Sequence, residues 1–180
     1  MNSAVSTLFQ RLEAPGEDSQ KEAAVELAML IERSRSPAPD DSLHRLILPE
    51  GLLQLTLSNE EADEIVERIC SEVLSERLSQ NAKISLVGAL RKIPRLNCFE
   101  AILRFLTKQF ELLDDEGVYA VLVSIVPAHL AGDERDRVIG LLKEHRVESV
   151  LDRLAQRGSD RLADPVRRLR QQIHKLSSRT

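Results

Sequence analysis

The sequence predicts an all-α fold, and three of its features carry this prediction. Apolar residues recur at helical spacing, start and stop signals separate the apolar stretches, and aromatic residues make up only 3% of the chain. Aliphatic side chains at positions i, i+3, i+4 and i+7 lie on one face of a helix. We therefore expect helices that bury a core of leucine, isoleucine, valine and alanine.

Capping residues mark where helices begin. Residues 19–22 and 58–61 have the capping-box pattern, in which a serine and a glutamate satisfy free backbone amides at a helix start. Asn97 is a weaker cap, and Asp164 caps a helix in which Pro165 takes the first position. With the proline and glycine stop signals, these caps predict helices over 3–13, 19–35, 41–48, 59–77, 81–93, 98–112, 115–130, 133–144, 147–157 and 165–176.

One segment argues for a strand. Residues 118–126 are apolar on nearly all sides and rich in β-branched side chains, which favours a buried strand locally. A lone strand in a helical chain would leave its backbone amides unpaired, whereas a helix satisfies its own. We predict a helix that its neighbours cover on most sides.

The helices also suggest a repeat. Residues 84–94 and 117–127 superpose at an offset of 33, which pairs Pro94 with Pro127. Helices that return in pairs at such an interval are typical of stacked helical hairpins. Over about residues 59–157 the chain resembles HEAT and armadillo-type repeat proteins, and residues 81–93 look like the second helix of a HEAT unit. The resemblance implies a superhelix of stacked antiparallel helix pairs (α-solenoid) over a single domain, residues 1–180; a non-repeating helical bundle is the alternative.

Charge is distributed unevenly along the chain. Residues 1–80 hold 7 Lys+Arg against 16 Asp+Glu, whereas residues 145–180 hold 9 against 4. An acidic first part and a basic tail could orient a partner or a second copy of the chain. The alternative interpretation is that both are solvated helix faces.

The sequence predicts a cytoplasmic protein that does not enter a membrane. The first residues lack the basic start and apolar stretch of a signal peptide, and no run approaches the roughly 20 apolar residues of a membrane span. Cys70 and Cys98 are far apart and do not form a zinc-binding or disulfide spacing, so we expect buried thiols.

No pattern indicates catalysis, a metal site or a cofactor. The acidic clusters at residues 114–116 and 133–136 could supply paired carboxylates, but each falls in the first turn of a predicted helix, where negative charge is favoured. No glycine-rich phosphate loop or nucleophile motif is present. The four histidines are scattered and lack zinc-ligand spacing: His44, His129, His145 and His174.

The basic tail is the best candidate for a binding surface. Its apolar stripe would dock on the protein, leaving a cationic face of the kind that phosphate binding needs. The predicted binding residues are Arg161, Arg167, Arg168, Arg170, His174 and Lys175. We expect a non-enzymatic adaptor or scaffold that binds a protein partner; nucleic-acid binding through the basic helix and self-association are the alternatives.

Overall fold

The described part of the chain is all-helical, as predicted. A computed structural model describes residues 2–35, 42–130 and 134–178, and these contain no β-strand. The chain divides into two compact units, Met1–Lys92 (unit 1) and Ile93–Thr180 (unit 2). The single domain and the stacked helix pairs stay predictions. Within the described ranges, no helix has the length and apolar character needed to cross a membrane.

Unit 1 is built around its longest helix. This helix, α2, packs against α1, α3, α5 and α6, most extensively against α6. It buries Leu27, Leu30 and Ile31 almost completely, and burial of each such side chain contributes roughly 1.5–3 kcal/mol. The helices of unit 1 are α1 (Ser3–Glu13), α2 (Glu17–Arg35), α3 (Ser42–Ile47), α4 (Glu50–Leu53), α5 (Asn59–Glu72) and α6 (Gln80–Leu90).

Unit 2 is organised around its last helix. This helix, α11, packs against α8, α9, α10 and a 3-10 turn, while α7 contacts α8, α9 and α10. Phe105, Leu103 and Leu106 of α7 are fully buried. The elements of unit 2 are α7 (Leu96–Gln109), α8 (Asp115–Leu122), the 3-10 turn (Pro127–Leu130), α9 (Arg135–Glu144), α10 (Val147–Gln156) and α11 (Asp160–Ser177).

The capping box before α5 is confirmed, whereas the caps predicted at Ser19 and Asn97 are wrong. Ser58 Oγ accepts a hydrogen bond from the Glu61 amide, and the Glu61 carboxylate accepts one from the Ser58 amide, both at 3.1 Å. Helix α2 begins earlier, directly after Gly16, whose φ of 135° lets the chain turn straight into the helix. Helix α7 begins at residue 96, so Asn97 already lies inside it.

The helix predicted over residues 115–130 is correct only in its first half. Helix α8 ends at Leu122, and residues 127–130 form the separate 3-10 turn. Pro127 prevents one continuous helix over 115–130, because it lacks the amide that would donate to the Val123 carbonyl and its ring disfavours helical backbone in Val126. The prediction of a helix rather than a strand is nevertheless confirmed for residues 118–122.

The last helix begins at residue 160, five residues before its predicted start. Pro165 therefore lies inside α11 and is buried, and Asp164 is not a cap. Starting earlier extends the apolar stripe by one turn, because Leu162 is only 1% exposed. Burial of Leu162 and Pro165 offsets the backbone hydrogen bond that proline cannot donate.

The burial pattern does not follow the predicted offset of 33 between residues 84–94 and 117–127. At 33, buried Leu86 pairs with half-buried Tyr119, and buried Leu90 pairs with half-buried Val123. At 32, buried residues pair with buried residues: Leu86 with Val118, Ala89 with Val121, Leu90 with Leu122 and Ile93 with Ile125. A shift of one residue rotates the aligned helix face by about 100°. The alignment at 33 rests on residue types alone, and it pairs a buried helix face with a partly exposed one.

Candidate functional site

Helix α11 carries all six predicted binding residues. Its predicted apolar stripe is buried, since Val166, Leu169, Ile173 and Leu176 are each at most 8% exposed. His174 and Lys175 are exposed on its last turns. The cationic side chains therefore lie outside the packed apolar face of α11, as the sequence predicts.

Arg161 is held by an internal cluster. Its Nε and Nη2 donate to the two carboxylate oxygens of Glu116 at 3.0 and 2.8 Å. The guanidinium also stacks 3.8 Å from the centroid of the Tyr119 ring. The hydrogen bonds that Arg161 donates to Glu116 raise the pKa of the Arg161 guanidinium. Paired in this bidentate way and stacked on Tyr119, Arg161 joins α11 to α8.

Arg161 is the last of three arginines spaced four residues apart. Arg153 pairs with Glu111 and lies 4.8 Å from the centroid of the Phe110 ring. Arg157 Nη2 donates to the Phe110 carbonyl at 2.5 Å, just beyond the last turn of α7. The three arginines thus join α10, the turn that follows it and α11 to the segment from α7 to α8. Sequence reasoning missed this row, although its i, i+4, i+8 spacing is visible.

The other three predicted arginines each have a carboxylate partner. Asp164 accepts from Arg167 at 2.5 Å and pairs with Arg168 at 2.6 Å, while Asp152 of α10 accepts from Arg170 at 2.5 Å. Side-chain exposure is 69% for Arg167 and 72% for Arg168. Exposed ion pairs are worth only about 0–1 kcal/mol, so an arriving carboxylate can exchange with Asp164 or Asp152 at small cost.

A groove runs along the contact between α10 and α11, next to these arginines. Its volume is about 470 Å³. Apolar side chains form its floor, Asp160 and Ser159 lie at the turn between the two helices, and Arg167, Arg170 and Gln171 form its rim. The apolar lining residues are Leu154, Ala155, Gly158, Leu162, Ala163 and Val166. The groove therefore offers an apolar strip bordered by two arginines.

Gly158 allows the tight turn between α10 and α11 that closes one end of the groove. Its φ of 66° lies in the left-handed region, which glycine adopts without steric cost, and a Cβ added there would meet no atom within 4 Å. The chain can therefore reverse between α10 and α11 within three residues, 157–159. This tight turn brings Asp160 and Ser159 to the groove.

The acidic cluster at residues 114–116 has structural roles. Asp114 caps α8 by accepting a hydrogen bond from the Gly117 amide at 2.8 Å. Asp115 pairs with Arg157 at 3.5 Å, and Glu116 holds Arg161. The prediction that this cluster lies in the first turn of a helix is confirmed for Asp115 and Glu116.

The remaining chemical candidates are the cysteines, the histidines and the acidic cluster at residues 133–136. Cys98 is buried, Cys70 is half-buried, and neither forms a disulfide bond. Within the described ranges, no group of three or more histidine, cysteine, aspartate or glutamate side chains could hold a metal ion. Asp133 and the side chains of His44 and His129 lie outside the described residues.

No protein-family model matches this chain, and neither a curated protein nor a solved structure shows significant similarity to it.

Proposed function

We propose that this chain is a protein-binding module that holds a segment of a partner protein in the groove between α10 and α11. The observation that carries the proposal is the apolar floor of this groove beside Arg167 and Arg170. Apolar contact supplies affinity, and charge at the rim orients the partner. The module acts by binding, without chemistry, as an adaptor or scaffold.

The two arginines at the rim of the groove indicate the charge of the partner segment. An apolar side chain of the partner would lie against Ala155 and Ala163, which are exposed at the groove above the buried Leu162. A neighbouring aspartate or glutamate of the partner would take the place of Asp164 or Asp152. Because both existing ion pairs are exposed, the exchange replaces one carboxylate with another. We therefore infer that the partner presents an acidic, amphipathic segment.

A matched pair of tryptophan variants tests the groove. Gln171→Trp places a large side chain at the groove, whereas Gln156→Trp places the same side chain at an exposed position of α10 that does not line it. The tagged chain and both variants would be used to capture proteins from a native lysate, with and without nuclease. We expect a nuclease-resistant partner whose capture falls about tenfold or more in Gln171→Trp, since blocked central contacts typically cost ~2 kcal/mol, and is unchanged in Gln156→Trp.

The charge component is tested separately with Arg167→Glu/Arg170→Glu. Reversal of both rim charges should weaken capture of an acidic partner, and added salt should weaken capture by the unaltered chain. Equal capture by the wild-type chain and both tryptophan variants would show that the partner docks elsewhere.

Nucleic-acid binding through α11 has less support. Duplex binding draws on a surplus of positive charge that neutralises phosphates, but the chain has a formal net charge of −4. Glu116, Asp152 and Asp164 lie beside the arginines of α11 as their carboxylate partners and would repel phosphates. In the described part of the chain, His174 and Lys175 alone among the predicted binding residues have no carboxylate partner. Partners that disappear on nuclease treatment, and whose capture Arg167→Glu/Arg170→Glu reduces, would favour this alternative over a protein partner.

A further inference from the structure

A second pocket lies on unit 2, among α9, α10 and α11. Its volume is about 250 Å³, and it shares no lining residue with the groove between α10 and α11. Leu142 and Ile173 are buried in its floor, and Ile139 is half-buried beside them. The exposed residues at its rim are Lys143, Arg146, Glu148 and Ser177.

The cations at this rim differ from the six arginines of residues 153–170. In the described part of unit 2, Lys143 and Arg146 form no ion pair, whereas Arg153, Arg157, Arg161, Arg167, Arg168 and Arg170 all do. Glu148 lies in the first turn of α10, where the helix dipole favours negative charge. The rim therefore has a net charge of +1 and lies above an apolar floor. This arrangement complements a ligand that has one negative charge and an apolar tail.

Arg146 adds an independent observation. Its φ of 49° makes it the one non-glycine residue with positive φ in the described ranges. It occupies the position directly after the C-cap of α9, which glycine or asparagine usually takes because other side chains are strained there. The Arg146 amide donates to the Lys143 carbonyl at 3.0 Å, which closes the end of α9. A left-handed backbone at arginine costs conformational free energy. Such strain is found mostly at functional sites, where contacts to a ligand can offset it.

We propose that this pocket binds a small apolar carboxylate, with the tail on Leu142 and Ile173 and the carboxylate at Lys143 and Arg146. The pocket is smaller than the ~300 Å³ lower end for drug-sized ligands, so an aliphatic acid of short or medium chain length fits. Glu148 disfavours dianions such as phosphate because it would repel their second charge. The proposal does not depend on the groove between α10 and α11.

Three probes with the same tail test the head group. Octanoate, octan-1-ol and octylamine would each be titrated into the full chain and followed by amide NMR shifts. Octanoate should give saturable shifts at residues 139–148 and 173–177, and octanol should bind several-fold more weakly. Octylamine should bind least, because Lys143 and Arg146 repel it. Salt should weaken octanoate binding without affecting octanol binding.

Matched variants then test the cations. Arg146→Asn removes the charge but keeps a residue that tolerates the left-handed backbone, whereas Arg146→Lys keeps the charge. We expect Arg146→Asn and Lys143→Gln each to weaken octanoate binding by up to about fivefold, the range for exposed ion pairs. Arg146→Lys should not, and neither should Lys108→Gln, which removes an exposed charge on α7.

Several results would overturn the proposal. Equal affinity for octanoate and octanol would show that the cations do not select the ligand. Unchanged octanoate binding in both Arg146→Asn and Lys143→Gln would have the same meaning. Octanoate shifts centred outside the pocket, or no octanoate shifts at all, would exclude this pocket as the site. Since the partner-capture experiment uses other residues and another readout, each proposal can fail without the other.

Discussion

Arginine side chains in unit 2 satisfy backbone carbonyls that the helices leave without an internal partner. Arg135 donates to the Leu176 carbonyl near the end of α11 through Nε and Nη2, at 2.9 and 2.5 Å. Arg157 does the same for Phe110, the C-cap of α7, and it also reaches the Leu113 carbonyl in the turn before α8. The last carbonyls of a helix lack intrahelical donors, and a guanidinium supplies them with charge-assisted hydrogen bonds. Arg157 of the basic tail is therefore part of the fold.

Glu72, at the end of α5, shows how one residue can couple stability to pH. Burial, followed by the negative charge of Glu13, raises the pKa of the Glu72 carboxyl, and Arg68 and Arg77 only partly oppose this. Because the folded-state pKa lies above the unfolded value, the ionised carboxylate costs the folded state free energy. The favourable contribution of the neutral form is complete below the unfolded pKa and is lost as pH rises through the folded pKa.

Replacement of Glu72 by glutamine removes this cost. We expect Glu72→Gln to raise the free energy of unfolding at pH 7 by less than about 1 kcal/mol, because water still screens the half-buried group. The gain should shrink as pH falls, and should vanish below the unfolded pKa of about 4.3. Urea denaturation between pH 3 and pH 8 would measure it, with Glu67→Gln as an exposed control on the same helix. A gain that persists at low pH would contradict the electrostatic explanation.

At the scale of the elements, a single buried amide joins three segments of unit 1. Gln20 on α2 is 5% exposed. Its Nε2 donates to the carbonyls of Ala14 and Arg77, both at 3.1 Å, and its Oε1 accepts from the Ser79 amide at 2.8 Å. The side chain thus connects the ends of the turns before α2 and α6. Loss of one partner leaves buried backbone groups unsatisfied, which is more costly than loss of the hydrogen bond itself.

This connection predicts a large effect of Gln20→Leu. The variant keeps a side chain of similar size but leaves two carbonyls and one amide without this partner, so we expect the free energy of unfolding to fall by about 3 kcal/mol. Gln10→Leu on α1 is the matched control, because Gln10 is exposed and such changes are usually within about 0.5 kcal/mol. Chemical denaturation of both variants would measure the difference, and equal stabilities would show that Gln20 is not a structural link.

At the scale of the whole molecule, the two units differ in net charge. Residues 1–92 hold 10 Lys+Arg against 16 Asp+Glu, and residues 93–180 hold 15 against 13. Each unit has its own buried apolar core, with Leu27 and Ile69 in unit 1 and Phe105 and Leu151 in unit 2. A compact unit with its own core can fold alone.

Separate production of the two units tests this inference. We expect fragments 1–92 and 93–180 each to be helical by circular dichroism and to unfold cooperatively on heating. The outcome decides between the single domain that the sequence predicts and two units that fold independently. Fragments that lack a cooperative transition, although the full chain has one, would favour the single domain.

The sequence by itself determined the all-helical class, most helix positions and the buried stripe of α11. Each of these depends on residues close together in the chain, through apolar periodicity and capping, as the box at Ser58 shows. Only the tertiary structure decided which cations have partners distant in the sequence and where the pockets lie. Asp152 meets Arg170, Glu116 meets Arg161, and Gln20 meets Ser79 across 18, 45 and 59 residues. The extra first turn of α11, before Pro165, also depends on tertiary structure. It is stabilised by burial of Leu162 against neighbouring helices.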